Sequence, residues 1–197
     1  MPQAIRSIRK YMSVTAVLVA VNILLFAPQL VSQRLDAMLY EAGALNPTLV
    51  LQGGEYYRIL TAMFLHADVN HLASNMIILY FVGVQVEKRL GRISYFLLYL
   101  LSGVIGNMVS IALQQMHGES FYSIGASGAV FGVVGAMAAI MIRNRKYIRR
   151  SDMTRMLIGV GYSLYLGFQS RSTDNAAHIG GFIAGVIIAG ALSLFGI

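Results

Sequence analysis

Between Ile93 and Gln115 the chain runs 23 residues without an acidic or basic side chain. A helix of that length reaches about 35 Å at 1.5 Å per residue, enough to cross the roughly 30 Å hydrocarbon core of a bilayer. Two further runs carry equally little charge, Ser127–Ile142 and Ala176–Ile197. The whole chain follows the same trend, with 57% hydrophobic residues, 12% charged residues and a mean hydropathy of +0.66. Soluble domains carry about 25% charged residues. The sequence therefore predicts an all-α integral membrane protein.

Three more apolar segments complete the set: Tyr11–Val31, Asn70–Leu90 and Met153–Gln169. The first has no small-residue cleavage site of the usual kind, so it reads as a retained span and not as a signal peptide. No repeat, low-complexity tract or soluble module interrupts the pattern. The expectation is one six-helix bundle forming a single domain over residues 1–197.

The net charge of +7 would suit a nucleic-acid partner if the basic residues formed a patch, but they cluster at the ends of the apolar runs. Arg6, Arg9 and Lys10 precede the first segment, and Lys88, Arg89 and Arg92 separate the second from the third. Arg143, Arg145, Lys146, Arg149, Arg150 and Arg155 separate the fourth from the fifth. Six crossings put 12 of the 15 basic residues on one side. Positive charge marks the cytoplasmic face, so both termini are expected inside, with no nucleic-acid partner. The absence of cysteine excludes thiol chemistry and Cys-based metal sites.

The first outer connection, roughly Ser32–Val69, is too long for a plain turn. Leu35, Met38 and Leu39 recur at helical spacing, as do Ile59, Leu60, Met63 and Phe64, but neither stretch can span. Both read as short interfacial helices packed on the bundle. The fourth segment is also unusual. Its 16 residues reach about 24 Å, short of the bilayer core. With its basic end held at Arg143, Ser127 falls below the outer surface, after a polar, non-helical stretch, His117–Ala126. Such backbone survives at depth only inside protein or beside water. The sequence thus predicts a recessed serine at a water-accessible cavity.

Ser127 opens the fourth segment in Gly125-Ala126-Ser127-Gly128, and His178 opens the sixth in Ala177-His178-Ile179-Gly180-Gly181. Ionisable groups in membrane segments are expensive and usually functional. A serine hydroxyl needs an adjacent base to become a nucleophile, and imidazole is suited to that task. Gly128, Gly132 and Gly135 line one face of the fourth segment, while Gly181 and Gly185 form a GxxxG step on the sixth. Such faces let membrane helices approach closely. A structural reading also fits these residues singly, with Ser127 as a helix cap and the glycines as packing. His66, Asn70, His71 and Asn75 form a third polar group. His71 and Asn75 share one helix face four residues apart, and with the Ser127 backbone N–H they would supply donors for an oxyanion. The spacing is not that of a metal site, and no metal or cofactor is expected. Asp174, four residues before His178, reads as a solvated loop residue or helix cap, and Glu87 as an interhelical structural contact.

Taken together, these motifs resemble the rhomboid family of intramembrane serine proteases in its minimal six-helix bacterial form. GxSG appears as Gly125–Gly128, AHxxGxxxG as Ala177, His178, Gly181 and Gly185, and HxxxxHxxxN as His66, His71 and Asn75. The resemblance covers the chain from about Glu55 onward, plus the first segment. It implies a Ser127–His178 dyad without an acidic third member, an oxyanion site from Ser127 N–H, His71 and Asn75, and supporting roles for His66, Gly125, Phe131, Gly181 and Gly185. It also implies transmembrane protein substrates, residence in the lipid bilayer of a bacterial inner membrane, and an active site opening to the periplasmic side. Met153–Gln169 and the loop Arg171–Asn175 would form a lateral gate and lid. Two positions depart from the common family pattern. Tyr57, before Arg58, replaces a tryptophan, and Phe131 stands where many relatives have a tyrosine. The competing readings are an inactive rhomboid-like protein that binds membrane clients and a transporter with a polar pathway. Against the latter, the sequence shows no inverted repeat and no membrane-embedded row of carboxylates.

Overall fold

The computed structural model describes residues 13–143 and 174–194, with isolated positions 151, 154, 158, 159 and 161 between them. The described residues form helices and one isolated β-bridge, without strands. The long helices are α1 (Val14–Val31), α5 (Val69–Leu90), α6 (Arg92–Met116), α7 (Ser127–Arg143) and α8 (Asn175–Leu194). Between α1 and α5 lie α2 (Gln33–Gly43), α3 (Pro47–Leu51), α4 (Arg58–Thr61) and a 3₁₀ turn at Ala62–Phe64. Four helices, α1, α5, α6 and α8, have the length and apolar character to cross a membrane. The chain is an all-α, multi-pass membrane protein. Most of the segment expected at Met153–Gln169, and Arg171–Thr173 of the expected lid, lie outside the described residues.

The short fourth segment becomes the centre of the bundle. Every residue from Gly128 to Ala136 is buried, as a helix that is apolar all round requires. α8 and α6 pack against α7, α5 touches its other flank, and α1 lies outside against α5. At 17 residues α7 is about 25 Å long, shorter than the other spans. Lipid-facing side chains such as Leu24, Leu30, Phe81 and Ile187 are exposed on the periphery, where hydrocarbon would be their solvent.

The α7–α8 crossing is set by glycine. A Cβ on Gly181 would run into the carbonyl of Gly128, and one on Gly185 into that of Gly132. The two backbones therefore touch directly, the close approach that small-residue faces make possible in membranes. Glu87, on α5, anchors the far end of α1. Its carboxylate accepts from Val14 N (2.8 Å), Thr15 N (2.9 Å) and Thr15 Oγ1 (2.7 Å). The first N–H groups of a helix lack partners of their own, and Glu87 supplies them from another helix.

The connection between α1 and α5 contains the two expected short helices and a third, Pro47–Leu51. Asn46 caps that third helix by accepting from Leu49 N at 3.2 Å, with Pro47 as its first residue. Proline suits that place because it has no N–H to leave unpaired. Arg58 is buried at 4% exposure. Its Nε reaches Glu55 Oε2 at 2.6 Å, and its Nη1 donates to Ala44 O at 2.9 Å. Tyr57 lies on the exposed side and donates to the same Glu55 oxygen at 2.8 Å. Those hydrogen bonds, from Tyr57 first and Arg58 second, hold the Glu55 carboxyl below its ordinary pKa. The tyrosine at this departure from the common pattern thus engages the buried arginine's partner.

Candidate active site

The segment before α7 lies outside regular helix, and from Ser123 to Ala126 it is at least partly buried, so its backbone groups need partners within the protein. Three neighbours supply them. Ser123 and Leu45 exchange both N–H···O bonds at 2.9 Å as an antiparallel bridge. Gly125 N donates to Ala62 O at 2.9 Å, and Phe121 N donates to Gln114 Oε1 at 2.9 Å. The connection between α1 and α5, together with α6, therefore shapes the chain that delivers Ser127.

Ser127 begins α7, and Ala126 O accepts the first helical bond, from Val130 N at 2.9 Å. The serine is therefore in the first turn and not the cap. Its Oγ lies 2.7 Å from His178 Nε2. His178 is 7% exposed, in the first turn of α8. For Nε2 to accept from the serine hydroxyl, the ring proton must sit on Nδ1. His178 Nδ1 is buried and has no hydrogen-bond partner among the described residues. Phe131, one turn into α7, stacks on the imidazole with centroids 4.5 Å apart and planes at 16°.

His71 faces the same small space. Gly125 holds φ +137°, a backbone region that side-chain-bearing residues rarely adopt. A Cβ there would lie 2.9 Å from His71 Nε2 and 3.5 Å from Ser127 Oγ. Glycine thus lets the imidazole edge approach the serine hydroxyl. The His71 ring is turned by its neighbours: Asp68 caps α5 by accepting from His71 N at 2.8 Å, and His71 Nδ1 accepts from Ala67 N at 3.5 Å. Asn75, one turn further along α5, is 5% exposed, and its Nδ2 has no partner among the described residues. A buried amide donor left over in this way is unusual. His66 is fully buried, edge-on to both Phe26 (6.5 Å) and His71 (5.2 Å). Burial, with His71 adding to it, pushes its imidazole down to about 4.

Asp174 is a helix cap, one of the two readings its position allows. Its Oδ1 accepts from Ala177 N at 3.0 Å, and its Oδ2 accepts from Ser110 Oγ. Sequence reasoning missed Ser110 and Gln114, which are almost fully buried on α6. The available signal was polar spacing: Asn107, Ser110 and Gln114 recur every three to four residues in an otherwise apolar helix. No group of three or more His, Cys, Asp or Glu side chains suited to a metal ion occurs among the described residues.

The Rhomboid domain family model matches residues 53–195. Relatives include the Rhomboid protease GluP of Bacillus subtilis (strain 168), 38% identical over 77% of this chain and 29% of the relative. The RHOMBOID-like protein 5 of Arabidopsis thaliana is 40% identical over 76% of this chain and 48% of its own length. The Rhomboid-like protease 3 of Toxoplasma gondii is 31% identical over 72% and 57% respectively. The chain belongs to the rhomboid family. It spans between about a third and a half of the length of the first two of these relatives.

Proposed function

We propose that this chain is an intramembrane serine endopeptidase that cleaves proteins containing transmembrane segments. The 2.7 Å contact between Ser127 Oγ and His178 Nε2, at the head of a short buried helix, carries the reading. Ser127 Oγ attacks the scissile carbonyl while His178 Nε2 takes its proton. The C–N bond then breaks as the imidazolium returns that proton to the leaving amine. Water, deprotonated by the same imidazole, hydrolyses the acyl-serine. Charge on the tetrahedral oxygen is met by the Ser127 backbone N–H, His71 and Asn75, in a site whose dipoles are fixed beforehand. The positive N-terminal end of α7 adds to that field. No metal or cofactor takes part.

Asp174 is committed to Ala177 N and Ser110, which favours a dyad over a triad. The basic flanks argue that both termini are cytoplasmic and that the cavity opens to the opposite side, which in the bacterial inner membrane implied by the resemblance is the periplasm. A transmembrane substrate would enter sideways from lipid. The test is labelling of the detergent-solubilised protein with a fluorophosphonate. Modification at Ser127 that is lost in His178→Ala is expected. Labelling absent from the wild type, or indifferent to His178, would overturn the dyad and favour an inactive client-binding protein or a transporter.

A further inference from the structure

α6 carries three buried polar side chains on one face of its outer half: Asn107 (6% exposed), Ser110 (0%) and Gln114 (3%). Each is used on a different segment. Asn107 Nδ2 donates to Ile59 O at 2.8 Å in the first outer connection. Gln114 Oε1 accepts from Phe121 N at 2.9 Å, and its main-chain O accepts from Glu119 N at 2.8 Å, both in the run that leads to Ser127. Gln114 Nε2 donates to Ser110 Oγ at 3.0 Å. Ser110 Oγ in turn donates to Asp174 Oδ2, whose other oxygen caps the first turn of α8, while Asp174 O accepts from His178 N at 3.2 Å.

We infer that Gln114, Ser110 and Asp174 form a positioning relay that fixes the His178 end of α8 against the chain leading to Ser127. This inference rests on the proposed dyad and adds to it a set of residues that touch neither reacting atom. Its logic is geometric. Ser127 and His178 lie 51 residues apart on different helices, and proton transfer tolerates little change in their separation. The α7–α8 backbone contact fixes the crossing of the two helices. It reaches Ala177, in the first turn of α8, and leaves the path of the chain before α7 to be set by other contacts. The relay reaches both through one helix. Ser110 accepts once and donates once, and Gln114 donates through Nε2 and accepts through Oε1, so each polar group in it has at least one partner. A closed polar chain of this kind holds one geometry, whereas a partly satisfied one does not.

The relay makes a specific demand on position 174. Asparagine retains an oxygen for Ala177 N and an amide group that can pair with Ser110, so Asp174→Asn should keep turnover within a few-fold of wild type. Asp174→Ala removes both contacts and should lower it by about tenfold or more. Ser110→Ala should lower kcat to a similar extent with KM nearly unchanged, because a mis-set dyad still binds its substrate. The relay residues act on one geometry, so the Ser110→Ala and Asp174→Ala losses should be far from additive.

The experiment measures fluorophosphonate labelling at Ser127 and cleavage of a transmembrane substrate, each normalised to folded protein, in wild type, Ser110→Ala, Asp174→Ala, Asp174→Asn and the double variant. Gln114→Met, of similar volume, replaces Ser110→Ala if the latter fails to fold. Reduced labelling and kcat, non-additivity and rescue by asparagine support the relay. Ser110→Ala labelling at the wild-type rate, or additive losses, would overturn it while leaving the dyad standing. An unlabelled wild type would remove the dyad and the relay together.

Discussion

The ring of Phe131 lies nearly parallel to that of His178, 4.5 Å away. The stack presses one face of the imidazole and leaves its edge free to meet Ser127. Aromatic stacking is worth about 0.5–1.5 kcal/mol beyond the area buried. Phe131→Leu should therefore lower kcat by about fivefold, whereas Phe131→Tyr, which keeps the stack, should change it little. Steady-state cleavage of a transmembrane substrate decides the point, and equal activity in the leucine variant would remove any role for the stack.

Ser127→Ala and His178→Ala should each abolish cleavage while the protein keeps its helicity and detergent-solubilised monodispersity. Circular dichroism and gel filtration provide the control. Near-normal turnover in either variant contradicts the proposed nucleophile and base.

His71→Ala and Asn75→Ala should lower kcat and leave KM close to wild type, because an oxyanion donor acts mainly in the transition state. Loss of one donor costs about 10²–10³ in kcat where the donors are few. With His71, Asn75 and the Ser127 N–H sharing the charge, the effect should fall at or below the lower end of that range. A rise in KM at constant kcat would point instead to substrate binding.

Gly185→Val should destabilise the protein sharply. A side chain there meets the Gly132 carbonyl, and backbone cannot step aside as a side chain can. Overpacking typically costs 1–3 kcal/mol, and about 3 kcal/mol or more is expected here. Thermal unfolding in detergent would read this as a marked fall in Tm. Among the described residues Gly190 has no neighbour at the place its Cβ would occupy, so Gly190→Val serves as the matched control and should unfold close to wild type.

His66 makes stability depend on pH. Its folded-state value is pushed from 6.5 to about 4 by burial first and His71 second. Between those values the unfolded chain binds a proton that the folded chain does not, so stability falls on acidification. The loss builds from pH 6.5 downward and is complete near pH 4, with a size of about 3 kcal/mol at 1.36 kcal/mol per unit. His66→Phe, which keeps a ring beside Phe26, should show a shallower decline of Tm over that window. An identical slope in the variant would assign the acid sensitivity elsewhere.

Much of the architecture was legible because boundaries in this chain are chemical. The apolar segments end at Leu90, at Arg143 and at the serine of GASG, and the helices α5, α6 and α7 begin and end within a residue of the ranges read from sequence. The meeting of Ser127 with His178 was legible because each residue heads a helix whose glycine face allows close approach to the other. The Leu45–Ser123 pairing was not, since both lie in irregular segments without periodicity. The helix at Pro47–Leu51 was too short to leave a pattern. Ser110 escaped notice because a lone hydroxyl on an apolar helix is usually satisfied by its own backbone, and its partner Asp174 lies 64 residues away.

The bridge between Leu45 and Ser123 has a consequence for the order of assembly. Two membrane-spanning helices, α5 and α6, lie between its partners. During synthesis the first outer connection emerges well before the chain that will pair with it, and His178 emerges later still. The serine segment gains its shape only once α5 and α6 have inserted and returned it beside Leu45, and its partner histidine arrives only with α8. A nascent chain therefore carries the serine into the membrane without its histidine, and the pair on which the proposed hydrolysis depends is assembled only when α8 follows α7 into place.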